Sequence, residues 1–233
     1  QTSFGIATTR VGNTTVLTPT TVESEYSDVL PSMNLVAEVT PDFLVRFGAA
    51  KVMSRPPLGS LSPGVTVSVS GSAKTVSAGN PLLEPVRAKT ADLGFEWYFD
   101  EGAMVGVGLF YKDIESFIQN TRESRPFNTS GLPDDVLIGT GASPTEDFQF
   151  TVPLNTPGGE LTGFEVNYTQ PFTFLPGALS NFGMQLNYTY VDSKIQYLLT
   201  SGALAQKEDL TGLSKTSWNA TLYYEGDRFS GRV

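Results

Sequence analysis

The chain reads as an all-β protein, an antiparallel meander of about nine long strands, and three observations in the sequence carry that reading. Apolar and polar residues alternate along most segments, as they must when successive strand side chains point to opposite faces of a sheet. The segments run about 10 to 14 residues, against about five or six in ordinary globular sheets. The connections between them alternate between short turns and long loops, so one end of the sheet is tight and the other elaborate.

Residues 4–17 form a first strand with weak alternation. In residues 29–39, Val29, Met33, Leu35, Ala37 and Val39 oppose Ser32, Asn34 and Glu38. Thr40-Pro41-Asp42 then turns the chain, because Pro presets the turn dihedral and Asp bonds its own backbone. Residues 43–52 set Phe43, Val45, Phe47 and Ala49 against Arg46 and Gly48. A Pro/Gly/Ser-rich connection over 54–86 leads to the most regular strand, residues 89–99. There Ala91, Leu93, Phe95, Trp97 and Phe99 form one face and Thr90, Asp92, Gly94, Glu96 and Tyr98 the other.

The tight turn Asp100-Glu101-Gly102 opens residues 103–114, in which Val105, Val107, Leu109 and Tyr111 face away from Gly106, Gly108, Phe110 and Lys112. A second long loop covers 116–159. Residues 161–174 and 182–196 are the next pair, joined by a Pro-Gly connection over 175–181. A third long loop spans 197–212, and residues 214–225 carry Trp218, Ala220, Leu222 and Tyr224 against Asn219, Thr221 and Tyr223. Residues 229–233 read as a strand that stops as it starts. Gln1 is neither an initiator Met nor the start of a signal peptide, so residues 1–233 read as one partial domain, cut at both ends, of something larger.

Composition narrows the function. The net charge of −9 argues against nucleic acid, which needs clustered Lys and Arg to displace counterions. With no Cys there are no disulfides, thiolate metal sites or Cys nucleophiles, and with no His the commonest general base and metal ligand is gone. An enzyme, a cofactor and a metal site are therefore not expected. No run approaches the roughly 18 apolar residues of a membrane-spanning helix. Strands of this length do suit a membrane, since about ten tilted residues cross its apolar layer. Aromatics gather beside every short turn: Phe43; Trp97, Tyr98 and Phe99; Phe172, Phe174 and Phe182; Tyr223, Tyr224 and Phe229. Such a belt is expected where amphipathic rings meet lipid headgroups. The sheet is thus read as the wall of a transmembrane β-barrel, with short periplasmic turns and long external loops.

Isolated motifs carry less. Five Asn-X-Ser/Thr matches begin at Asn13, Asn128, Asn167, Asn187 and Asn219, and strand alternation alone generates the last three. Asp134-Asp135 and Glu146-Asp147 lack the spacing of a calcium loop and read as solvated charge. Glu96 and Glu165 could be imagined as a glycosidase pair, but as inward carboxylates they read as lumen polarity, Glu96 or Glu165 pairing with Arg46. Gly106 and Gly108 leave room either for a bulky neighbour or for something inside the barrel. The candidate lumen-lining residues are Arg46, Asp92, Glu96, Lys112, Glu165, Gln185, Asn187 and Asn219.

Several segments in order resemble the barrel of a TonB-dependent outer-membrane receptor. They are Tyr26-Ser27-Asp28-Val29-Leu30-Pro31-Ser32-Met33-Asn34-Leu35, Ser54-Arg55-Pro56, Gly79-Asn80-Pro81-Leu82-Leu83-Glu84-Pro85, Leu109-Phe110-Tyr111-Lys112-Asp113-Ile114, Gly163-Phe164-Glu165 and Asn187-Tyr188-Thr189-Tyr190-Val191-Asp192-Ser193. The resemblance spans residues 26–233 and implies a 22-stranded barrel in the bacterial outer membrane, filled by an N-terminal plug domain. It implies active uptake of a scarce nutrient, a siderophore, oligosaccharide or similar, with TonB pulling on the plug. The partners expected are outer-membrane lipid, the plug, TonB through the plug, and a small nutrient ligand. No plug, TonB-contacting segment or terminal strand ending in an aromatic is read in these residues. The alternatives are a passive porin-like channel and a soluble carbohydrate-binding β-sandwich.

Overall fold

The computed structural model describes residues 2–11, 14–199 and 203–233. Its main body is one sheet whose eight-strand meander has the order β13-β12-β10-β9-β8-β7-β4-β3. The strands are β3 (Ser32–Thr40), β4 (Phe43–Ser54), β7 (Val86–Asp100), β8 (Ala103–Pro126), β9 (Asp147–Pro171), β10 (Phe182–Leu198), β12 (Thr216–Glu225) and β13 (Ser230–Arg232). Every neighbouring pair in this wall is antiparallel. The three shortest turns, after β3, β7 and β12, lie at the same end as the β9–β10 connection, while the long connections gather at the opposite end, here called the head. Gly102 makes the β7–β8 turn possible, since its φ of +71° is a region that side-chain-bearing residues avoid.

Four sequence expectations need correction. The strand expected over 4–17 is two: β1 (Thr2–Val11) and β2 (Thr14–Glu23) pair only with each other, outside the meander, and Gly12-Asn13 between them lies outside the described residues. The connection over 54–86 contains a hairpin, β5 (Val65–Ser70) and β6 (Ala73–Ala78). The loop expected over 116–159 is largely strand, because β8 runs to Pro126 and β9 starts at Asp147. The loop over 197–212 includes β11 (Leu204–Glu208), which folds back on β10. The last two share a cause: in the head both faces are wet or locally packed, so the alternation used to find strands fades while backbone pairing continues; in the hairpin Val65–Ser70 does alternate, but amid Ser- and Gly-rich surroundings.

The head has its own apolar core. Val76, Leu137, Phe127, Phe148 and Phe150 are buried together, with Val65, Val67 and Val69 of β5 packed against them. Lys74 Nζ of β6 binds Glu146 Oε2 at 2.8 Å, which also accepts the Ser143 N–H at 2.8 Å, tying hairpin to loop. The wall has no such core. Large side chains on one of its faces stay bare, among them Leu35, Leu109, Leu186 and Trp218, the last 76% exposed. A soluble β-sandwich would cover that face with a second sheet. None is present among the described residues.

Head and wall part company at Pro157-Gly158-Gly159. Below this point β9 pairs with β10, ending at Ile195↔Gly159; above it, the same edge of β9 takes β6 in parallel, Thr75↔Gln149 to Ser77↔Thr151. A Cβ on Gly158 would collide with the Ile114 carbonyl, and one on Gly159 with the Lys194 carbonyl. Where β10 diverges, a side-chain amide supplies a missing rung: Gln119 Nε2 donates to Leu198 O at 2.8 Å and Leu198 N–H donates to Gln119 Oε1 at 2.9 Å. Asn155 clamps the backbone of Glu84 in the same two-bonded way. Gly159→Val in the full-length protein is expected to cost on the order of 2 kcal/mol or more through backbone collision. A lower urea midpoint in detergent micelles checks this; an unchanged midpoint contradicts it.

Candidate functional site: the polar face of the wall

Cross-strand register sorts every wall residue onto one of two faces. Arg46 pairs with Gly94, Gly48 with Asp92 and Leu44 with Glu96; Thr90 pairs with Lys112, and Gly108 with Glu165. Thr169 pairs with Gln185, Asn167 with Asn187, and Asn187 with Asn219. All eight residues expected to share a face, Arg46, Asp92, Glu96, Lys112, Glu165, Gln185, Asn187 and Asn219, therefore do so. The other face carries Leu35, Phe47, Leu93, Val107, Phe164, Tyr190 and their neighbours.

The polar face has two chemical halves. On β4 and β7 it is charged. The Arg46 guanidinium grips Glu96 with both prongs, Nε–Oε1 at 2.7 Å and Nη2–Oε2 at 3.2 Å, and the Tyr98 hydroxyl donates to Glu96 Oε2 at 2.9 Å. Glu96 is thus occupied by Arg46, as one reading of the sequence had it, and is not free for acid–base work. On β9, β10 and β12 the face is amide and hydroxyl apart from the Glu165 carboxylate: Asn187 Nδ2 donates to Asn167 Oδ1 at 2.6 Å, and the Thr221 hydroxyl donates to Asn219 Oδ1 at 3.4 Å. Asp92, Lys112, Glu165 and Gln185 make no side-chain hydrogen bond or ion pair among the described residues.

Between the halves lies a depression of about 390 Å³, floored by Gly48, Gly94 and Gly108 and bordered by Asn34, Arg46, Asp92, Phe110 and Glu165. A Cβ on Gly108 would meet nothing within 4 Å, so this glycine leaves open space, whereas one on Gly106 would touch Met104 and Asn167. The two glycines thus answer differently the question the sequence posed. Phe110 lies over Gly163 and Tyr223 over Gly183, so that two rings on the wet face cover bare backbone on the next strand. Asn34, Asn167 and Tyr98 belong to this face too. Period-2 counting from Glu38, Glu165 and Glu96 puts them there from the sequence alone.

The apolar face carries aromatics at two levels. Near the short turns Phe43 stacks on Phe95 at 6.5 Å, Trp97 meets Phe99 at 5.3 Å, Phe99 stacks on Tyr168 at 6.2 Å, and Phe182 meets Tyr224 at 4.9 Å. Tyr98 and Tyr223, expected in this belt, point to the polar face instead, as their even spacing from Glu96 and Thr221 requires. A second level, which sequence reading missed, sets Phe164 against Tyr188 at 5.9 Å and Tyr190 at 5.8 Å, with Trp218 opposite Tyr188. Phe182 and Tyr190 stand eight residues apart on β10, roughly 26 Å along a strand and about 20 Å once a barrel tilt near 40° is allowed for. That approaches the height of the apolar band of an outer-membrane barrel, about 25 Å.

At the head end, Arg87 joins three segments. Its Nε donates to Asp28 Oδ1 at 2.6 Å and its Nη1 to Glu84 Oε2 at 2.7 Å. Asp28, only 7% exposed in its side chain, lies on the segment that enters β3. The Arg87 hydrogen bond holds the Asp28 carboxyl below the usual carboxylate range, against the opposing effect of burial, and the two carboxylates raise the Arg87 guanidinium.

A two-faced sheet of long strands, with a bare apolar face that carries aromatics at two levels, defines the class: a wall segment of a transmembrane β-barrel. The TonB dependent receptor-like, beta-barrel family model matches residues 3–233, and the chain belongs to that family, whose members are receptors and transporters of the outer membrane. Solved structures agree in fold. The siderophore receptor PirA from Acinetobacter baumannii is 17% identical with a TM-score of 0.58, over 87% of this chain and 27% of that one. A mutant of the ferric enterobactin receptor PfeA from Pseudomonas aeruginosa, in complex with enterobactin, is 19% identical with a TM-score of 0.54, over 84% and 25%. The siderophore receptor PirA from Pseudomonas aeruginosa is 18% identical with a TM-score of 0.54, over 87% and 29%. The chain spans about a quarter of the length of these structures. No curated protein sequence is similar enough to count as a match.

Two outcomes follow for the full-length protein. In a double-mutant cycle, Arg46→Met and Glu96→Gln should show a small favourable coupling, as partly exposed ion pairs do; urea titration reads it, and strict additivity would remove Arg46–Glu96 from the wall's stability. At the head end, Asp28 is more acidic folded than unfolded, so its contribution is full above the unfolded carboxylate pKa and is lost as pH falls through the folded value. Amide exchange of residues 24–31 should therefore accelerate below about pH 4, the model range for Asp, and Asp28→Asn should flatten that acid limb.

Proposed function

We propose that this segment forms part of the wall of a TonB-dependent receptor in a bacterial outer membrane that takes up a scarce nutrient, a siderophore, oligosaccharide or similar. The observation that carries the reading is the pairing of one bare apolar face, bounded by two aromatic levels, with one polar face bearing unneutralised carboxylates. Lipid covers the first face. The second lines the lumen, with Arg46, Asp92, Glu96, Lys112, Glu165, Gln185, Asn187 and Asn219 toward the interior and the plug domain of the parent protein filling it. The siderophore-receptor fold of its structural neighbours supports the class of activity, and the family is one of transporters, so catalysis is not part of this reading.

In mechanism, the head and its loops capture the nutrient, TonB pulls on the plug, and the freed ligand moves along the polar face. Asp92 and Glu165, unlike the Arg46-bound Glu96, would otherwise face water alone, so basic groups of the plug are their natural counterparts. A passive channel shares the wall but needs no energy.

The test uses the full-length protein in its native membrane. Uptake should stop when TonB is deleted or the proton-motive force is collapsed; persistence of full uptake would leave only the channel reading. Leu109→Arg, in the middle of the apolar face, should cost about 2–4 kcal/mol in lipid, while Asp92→Asn on the opposite face should leave folding intact. Equal tolerance of both changes would mean that the apolar face does not meet lipid.

A further inference from the structure

The β5–β6 hairpin carries its two chemistries on opposite sides. Val65, Val67, Val69 and Val76 turn to the core of the head. Thr66 pairs with Ser77 and Ser77 with Thr151, on the other side, which is also the side of the wall's polar face. There the connection between β4 and β7 curls against β8 and β9 and leaves a pocket of about 340 Å³ between Ser60, Ser62, Thr66, Ser77 and Asn120, with Pro153 beneath.

No ionisable side chain lines this pocket. The hydroxyls of Ser60, Thr66 and Ser77 and the carboxamide of Asn120 have no partner among the described residues. The walls are nonetheless fixed. Asn80 N–H donates to Ser60 O at 2.6 Å and Asn80 Nδ2 to Pro153 O at 3.1 Å, and Gly79 packs so closely on Ser62 that a Cβ there would strike its carbonyl. A firm concavity with several groups that both donate and accept, and no net charge, has a chemical preference. An ionic ligand would lose hydration and find no counter-charge, while a neutral polyol exchanges its water bonds one for one.

We infer that this pocket is a binding subsite for a neutral polyhydroxylated ligand, a short uncharged oligosaccharide. The inference rests on the reading of the chain as a receptor wall and gives that receptor's cargo a class. The subsite engages hydroxyl groups of one or two sugar rings through Asn120 and the hairpin hydroxyls. It holds no stacking ring, so each subsite contact is weak and affinity builds over several sugars.

The experiment is saturation-transfer NMR and calorimetry on the full-length receptor in detergent, with maltotriose, cellotriose and xylotriose as neutral probes and ferric enterobactin as the charged comparison. At least one trisaccharide should bind. Asn120→Ala should weaken it about fivefold to tenfold, the loss of roughly one hydrogen bond, and Ser77→Trp, which fills the pocket from an exposed strand position, should weaken it further. Unchanged heat-modifiable migration of both variants shows that they fold, and Asn120→Ala alone suffices if Ser77→Trp does not. Failure of every trisaccharide to bind, or binding indifferent to the folded variants, overturns the inference. If TonB-dependent uptake of another nutrient continues in that case, the receptor reading stands without it. If trisaccharide binding depends on Asn120 while uptake ignores TonB, the subsite stands and the receptor reading falls.

Discussion

The backbone ladder that runs without a break from β3 to β13 is the interaction on which the rest of the molecule depends. In an apolar medium no water can satisfy a free N–H or C=O, so a membrane wall must pair every strand with its neighbours. Once the ladder fixes the strands, period-2 geometry leaves no freedom over which side chains share a face. That is why Arg46 and Glu96, fifty positions apart, can meet with both prongs of a guanidinium, and why Leu93 and Leu109 must stand together on the bare side.

The wall and the head are stabilised by different physics. The head has a buried cluster around Phe127 and Phe148, of the kind any soluble domain would use. The wall leaves its large apolar side chains bare on one face, and its other face carries Asn, Thr, Gly and carboxylates without a partner among the described residues. The two meet at Gly158 and Gly159, where the backbones crowd too closely for any side chain, and where Gln119 and Asn155 replace ladder rungs with their amides. These clamps let β9 change partners without stranding polar backbone at the boundary.

Legibility in the sequence followed the same division. In the wall, alternation from Ala91 to Trp97 or from Met184 to Tyr190 was enough to assign faces, because two opposed media impose the pattern. All eight polar-face residues could be grouped without coordinates for that reason. In the head the pattern has no such cause, so β5, β6 and the upper halves of β8 and β9 read as loop. Val65 to Ser70 does alternate, yet its Ser- and Gly-rich surroundings argued for a connection. The upper aromatic level was missed because Phe164, Tyr188 and Trp218 come together only across strands, by register. The glycine-floored depression needed register too, since Gly48, Gly94 and Gly108 are unremarkable one at a time.

The β8–β9 ribbon keeps a single register from Met104↔Thr169 to Pro126↔Asp147, without a bulge. A bulge or slip is where such a ribbon bends most easily; this one offers none. The entropy of ordering these residues is therefore met when the protein folds. On the function proposed above, recognition at this end would use a surface already in shape, and differences in affinity among ligands would reflect how well each fits and how slowly it leaves.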